Sequence, residues 1–395
     1  MKTLHLELSS TIKGRFYIET ESIKNPFFML NKSFFIHNVF CDNLPIHFQQ
    51  DSIEYNYQKI SFKLPEHNQI LLIEYEGILD GTTGRWPYVK EKTTDELYLL
   101  RDETIYYPVF ETPYSETYFS LLLYPTEKEK IRVFITRKDS RHICSNLTCI
   151  KPFIYEGYNP TFVIGNLKKY KCSFGKIWLS KNDKRSIKEI EKIVMGTNQF
   201  MNHFKQANIK HFQIISIPKG YGSFVLPGTM FFTQDANYQG LIHELIHINW
   251  NPPCQISQQK ARFFDEGLTQ YFTARVCDAL SIQSQDNIMA QYLHNFKQQI
   301  HKWKKTPYPI EEFASHDCGE LSYSFSALAL QAIENRIGKE TMDSCLSKML
   351  TTYETDPIDF LHFKSFFPET IEDIYTDYFL TNNAANCLLK ETPAQ

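Results

Sequence analysis

Near residue 181 the apolar residues of this chain change their spacing, and that change limits the fold more than any other feature. Before it, apolar residues alternate or cluster in short runs, as in Leu4 to Leu8, Ile70 to Tyr75, Tyr118 to Leu123 and Ile131 to Thr136, which is the pattern of strands. Turn-forming residues separate the runs at Asp42-Asn43, Asp80-Gly81 and Asn159-Pro160. Residues 1–180 therefore read as an all-β sandwich. After residue 181 the spacing becomes helical, and Ser186-Ile187-Lys188-Glu189 has the form of a capping box opening a helix at Ile187. Strands are expected at Phe212 to Ile217 and at Thr229 to Thr233, joined by Lys219-Gly220-Tyr221-Gly222-Ser223. Helices are expected at 238–250, 258–279, 288–303 and 323–337, the last closed by Gly338. At 395 residues the chain suits two domains, and the expected fold class is α+β, with a second domain over 181–395.

Composition excludes several functions. Lys and Arg total 42 against 45 Asp and Glu, a formal charge of −3 with no dominant run of one sign, which argues against a nucleic-acid binder. No segment approaches the ~18 uninterrupted apolar residues of a membrane span. Nine cysteines, an odd number without framework spacing, read as reduced thiols, so a cytoplasmic protein is expected. Cys144 and Cys149 have no second pair to complete a four-thiolate zinc site.

The residues that carry chemistry lie in the helix expected at 238–250. His243-Glu244-Leu245-Ile246-His247 is an HExxH pattern. Residues four apart on a helix differ by about 40° around the axis and about 6 Å along it, so both imidazoles leave one face and can hold one metal ion. Glu244 lies within about 100° of each, beside the metal position. Leu241, Ile242, Leu245 and Ile248 make the opposite face apolar, so the helix can be half buried while its ligands face a cleft. Two imidazoles leave a tetrahedral zinc ion one protein ligand short of a catalytic set. Glu266, within Phe263-Phe264-Asp265-Glu266-Gly267, is the candidate, and 18 residues, 248–265, separate it from His247.

With that spacing the sequence resembles the aminopeptidase N family, which includes leukotriene hydrolase, where HExxH is followed after 18 residues by Glu within Asn-Glu-Gly. Asp265 stands in place of the Asn. The resemblance implies one Zn2+ on His243, His247 and Glu266, with Glu244 as general base and Tyr323, which opens a later helix, as oxyanion donor. It also implies that the sandwich is followed by a thermolysin-like mixed α/β and helical domain, and it covers most of the chain. The Lys-Gly that usually follows the tyrosine is replaced by Phe325-Ser326. Only residues 324–395 follow Tyr323, so the large C-terminal helical domain of the long members is expected to be missing.

Before the metal helix the family carries Gly-x-Met-Glu-Asn, whose glutamate anchors a free amino terminus. Here the loop reads Gly220-Tyr221-Gly222-Ser223-Phe224 and has no acid. Asp102 or Glu103 is a candidate substitute. The strand Thr229 to Thr233 is expected to be the sheet edge that pairs with an extended peptide, with Tyr221, Gly222 and Ser223 lining the cleft. The expected partner is a peptide substrate; the oligomeric state is not legible. An aminopeptidase acting on short peptides is ranked slightly ahead of an endopeptidase or a dedicated processing protease. A non-catalytic scaffold is the rival from another class, and an epoxide activity like that of leukotriene hydrolase has no specific support in these residues.

Overall fold

The computed structural model describes residues 2–9, 11–52, 57–64, 69–78, 80–83, 90–92, 97–101, 104–110, 130–137, 141–205, 211–249, 262–303, 307–313, 321–352 and 358–390. The expected strand Tyr118 to Leu123, the acids Asp102 and Glu103, and the start of the helix expected at 258 lie outside these residues.

The chain divides into two compact units. The first holds Met1–Lys184 together with His211–Asp235, and the second holds Arg185–Lys210 with Ala236–Gln395.

In the first unit an eight-stranded sheet has the spatial order Thr148–Lys151, Ile154–Gly157, Ile131–Arg137, Lys2–Leu8, Ile12–Glu19, Ile70–Gly77, Phe34–Cys41 and Leu44–Pro45. Strict alternation builds it. Along Ile12–Glu19 the residues Ile12, Phe16 and Ile18 point into the core while Lys13 and Arg15 face solvent. A three-stranded sheet, Phe27–Asn31, Tyr57–Phe62 and Phe48–Ser52, supplies Phe28, Leu30 and Ile60 to the same core as Leu4, Phe16 and Ile73 of the larger sheet. Asp42, Asn43 and Asn159 turn the chain with left-handed backbones at φ 46°, 68° and 51°. Asp80-Gly81, expected to be a turn, instead opens a short strand, Asp80–Thr83, that pairs antiparallel with Lys90–Lys92.

A further sheet of this unit runs Leu167–Cys172, Gly175–Ser180, Phe212–Ile217, Thr229–Thr233 and Phe224–Leu226. Its three central strands are parallel, and every residue of Phe212–Ile217 and Thr229–Thr233 is buried, as expected of continuous apolar runs in a parallel sheet. The expectation that Thr229–Thr233 is the sheet edge is therefore corrected. It is paired on both sides, and the edge is Phe224–Leu226, which follows the loop and folds back antiparallel across Gly228 at φ 72°. This pairing also draws residues 211–235 into the first unit, although they follow the change of period.

The second unit is helical: α1 (Ile187–Met201), α2 (Tyr238–Asn249), α3 (Leu268–Ala279), α4 (Gln285–Trp303), α5 (Leu321–Ile337), α6 (Lys339–Thr352), α7 (Phe360–Ser365), α8 (Glu372–Tyr375) and α9 (Asn383–Lys390). Ser186 caps α1 as expected, its Oγ accepting from Glu189 N at 3.4 Å. The stripe Ile288, Tyr292, Phe296 and Ile300 is buried along α4, and Gly338 ends α5 at φ 80°. No helix among the described residues is long and apolar enough to cross a membrane.

Candidate metal centre

Helix α2 begins where Asn237 Oδ1 accepts from Gly240 N at 2.9 Å, a side-chain cap for the first turn. Leu241, Ile242, Leu245 and Ile246 are fully buried along it, which fixes the rotation that turns His243 and His247 the other way. The two rings lie 4.7 Å apart at 85°.

Ahead of α3 the chain makes a widened π-type turn, Phe263–Gly267, and not the regular helix expected there. Glu266 N and Gly267 N both donate to Arg262 O, at 2.9 and 3.2 Å. Such one-turn bulges redirect side chains and are frequent at functional sites. Phe263 anchors this one from below, with ring centroids 5.6, 5.0 and 5.1 Å from Phe360, Phe363 and Phe379. The turn delivers Glu266 to the imidazoles. Glu266 Oε2 lies 3.2 Å from His243 Nε2 and 3.4 Å from His247 Nε2, and those two nitrogens are 3.1 Å apart.

This triangle fits a metal ion. Zinc bonds of about 2.0–2.1 Å directed to tetrahedral corners set their ligand atoms roughly 3.3 Å apart, and all three sides match. Three lone-pair atoms this close repel unless a cation or a proton lies among them. Glu266 Oε2 is also buried without a hydrogen-bond partner among the described residues, as a metal-facing oxygen should be. His243, His247 and Glu266 are the one such group among the described residues.

The surroundings tune the cluster. Burial alone would raise the Glu266 carboxyl, but the charge of Arg262, and then the nearby His247 and His243 imidazoles, hold it well below the ordinary carboxylate range. Burial would lower His247, yet Glu266 and Asp265 carry it well above its usual value. Glu244 has no such anchor. Burial raises its carboxyl, Glu266 and Asp265 push the same way, and His243 and His247 oppose them.

Tyr323, near the start of α5, places its ring 6.1 Å from that of His243, nearly parallel at 19°. The approach depends on Gly267, because a Cβ there would meet Ser326 Cβ at 2.5 Å and the Ser322 carbonyl oxygen at 3.2 Å. Ser322 and Ser326 flank Tyr323 on its helix. The five residues expected at a metal centre, His243, Glu244, His247, Glu266 and Tyr323, thus all lie in the second unit, with the three ligand atoms in mutual contact.

Tyr221, Gly222 and Ser223 lie in the first unit. Tyr221 is buried in a core with Ile215, Ile217 and Phe231, Ser223 Oγ accepts from Thr233 N at 3.1 Å, and Gly222 is exposed.

Three neighbours of the centre were not foreseen in the sequence. Asp265 Oδ1 lies 3.2 Å from His247 Nδ1, a carboxylate that orients an imidazole through its far nitrogen. Thr269 Oγ1 lies 3.3 Å from the same nitrogen while donating to Asp265 O at 2.6 Å. Arg262 pairs with Glu266 Oε1, and its one sequence signal is the spacing of opposite charges four residues apart.

No family model matches the sequence, and no curated protein matches it. Solved structures do, and the fold is that of zinc metallopeptidases of the M1 group. The M1 zinc metallopeptidase of Deinococcus radiodurans matches with a TM-score of 0.63 at 13% identity, over 96% of this chain and 93% of that one. A mutant of the same enzyme bound to a Tyr-Ser-Ala substrate gives 0.62 at 10% identity, over 96% and 93%. The native leukotriene A4 hydrolase of Saccharomyces cerevisiae gives 0.62 at 15% identity, over 96% of this chain and 67% of that one. At these identities the likeness is one of fold.

Proposed function

We propose that the chain is a zinc-dependent peptidase, with His243, His247 and Glu266 holding the ion, Glu244 as general base and Tyr323 as oxyanion donor. The observation that carries this reading is the triangle of ligand atoms at 3.1, 3.2 and 3.4 Å, with the buried Glu244 on the same helix as two of them. The shared fold supports it, and one structure with that fold holds a tripeptide substrate.

A zinc ion held there supplies a Lewis acid that polarises a carbonyl and lowers the pKa of a water molecule to about 7. Glu244 takes a proton from the attacking water as its oxygen bonds to the peptide carbon. It then delivers that proton to the leaving nitrogen as the carbon–nitrogen bond breaks, a role typically worth ~10²- to 10⁴-fold in rate. Tyr323 donates its hydroxyl hydrogen to the developing oxyanion.

Short peptides with a free amino terminus are the leading substrate class. A second reading, cleavage without that requirement, is favoured by the loop at Gly220 to Phe224. None of its residues carries the carboxylate that would anchor a free amino terminus.

The test uses the full chain and Glu244→Gln. The wild type is expected to carry about one zinc per chain and to cleave peptides, and the variant to keep the zinc while losing at least ~10²-fold in turnover. A metal-free wild type, or a variant with full activity, would remove the reading. Matched peptides with free and acetylated amino termini then decide between the two substrate classes.

A further inference from the structure

Glu266 turns one oxygen toward the imidazoles, and its other oxygen is engaged elsewhere. Arg262 Nη2 donates to Oε1, its guanidinium lies 3.8 Å from Asp265 Oδ2, and its central carbon is 5.3 Å from the Tyr323 ring centroid. The side chains of Arg262 and Glu266 are only 18% and 7% exposed. Arg262 also has a left-handed backbone, φ 53°, an uncommon conformation for a long side chain and one concentrated at functional sites. From that position its carbonyl receives the Glu266 amide while its guanidinium grips the Glu266 carboxylate. One residue thus fixes the glutamate at both ends.

We propose that Arg262 is a positioning residue that restricts Glu266 to coordination through a single oxygen. The inference rests on the zinc-peptidase reading. A carboxylate can meet a cation with one oxygen or with both. With Oε1 tied to the guanidinium, Oε2 alone remains for the ion, and the position that a second oxygen would occupy stays available to water and substrate, as a catalytic site requires. The planar guanidinium suits this because its several donors reach Glu266 Oε1 and Asp265 Oδ2 together while its face lies against Tyr323. A buried ion pair that only neutralised charge would not need to contact these three groups at once.

The experiment reads the coordination shell of the full chain. Cobalt(II) replaces zinc in the wild type, in Arg262→Asn, which removes the guanidinium while tolerating a left-handed backbone, and in Arg262→Lys. The wild type is expected to show the strong visible absorption of four-coordinate cobalt. Arg262→Asn is expected to show a weakened, shifted band as Glu266 closes on the metal with both oxygens, together with a kcat about 10- to 100-fold lower and little change in KM. Arg262→Lys should recover part of both. A wild-type cobalt spectrum in Arg262→Asn overturns the proposal, whatever its activity or stability. X-ray absorption on the wild-type zinc protein gives a check that needs no variant: a second Glu266 oxygen in the shell overturns it as well. A wild type that binds no metal fails earlier and removes the zinc reading itself.

Discussion

Gly267 and Ser326 meet with no room for a methyl group between them, since a Cβ on Gly267 would stand 2.5 Å from Ser326 Cβ. The turn that carries Glu266 and the helix that carries Tyr323 are thereby in contact at backbone distance. Gly267→Ala is expected to cost about 1–3 kcal/mol by overpacking and to shift Tyr323 away from His243. Denaturant unfolding measures the first effect. A turnover deficit larger than any loss of zinc measures the second.

Glu266→Ala removes the oxygen that completes the ligand triangle and the partner of a largely buried guanidinium. Zinc content should fall well below one per chain. The metal-free variant should also unfold more easily than the metal-free wild type, by up to about 3–5 kcal/mol, because Arg262 loses its closest anion. Elemental analysis and chemical denaturation of both metal-free proteins check the two parts separately.

Tyr323→Phe keeps the ring beside His243 and removes only the hydroxyl. Turnover should drop on the order of 10²- to 10³-fold with zinc content and stability nearly unchanged. A variant as fast as the wild type would return this tyrosine to a packing role.

Asp265→Asn replaces the carboxylate that faces His247 Nδ1 with an amide. Outer partners of metal-binding imidazoles typically matter at the level of 10- to 100-fold in affinity or activity, so zinc should dissociate more readily. Competition with a coloured chelator reads this directly, and an unchanged zinc affinity would mean that Thr269, at 3.3 Å from the same nitrogen, suffices to orient the ring.

Much of the centre was legible because helix geometry is local. Four-residue spacing alone places His243 and His247 together, and the apolar residues between them fix which way they face. Glu266 was found by its distance along the chain, not by geometry, since its position is set by a widened turn held by Phe263 against Phe360, Phe363 and Phe379. No short-range pattern announces that turn or the left-handed Arg262 before it. The sheet was less legible. Thr229–Thr233 reads as a strand from its composition, but which strands flank it depends on Phe212–Ile217 and on Phe224–Leu226, a partner only three residues long.

The five-stranded sheet has a consequence for anyone who dissects this chain. Its strands Phe212–Ile217 and Thr229–Thr233 return to the first unit after α1 has already contributed to the second. A fragment ending at Lys184 would expose the hydrogen-bonding side of Gly175–Ser180, and one beginning at Arg185 would leave the buried strand Phe212–Ile217 without its partner on that side. The two units are interleaved in sequence, so an excised carboxy-terminal portion beginning at Arg185 should aggregate, and swaps with a related protein need crossover points that keep residues 211–235 with the amino-terminal portion.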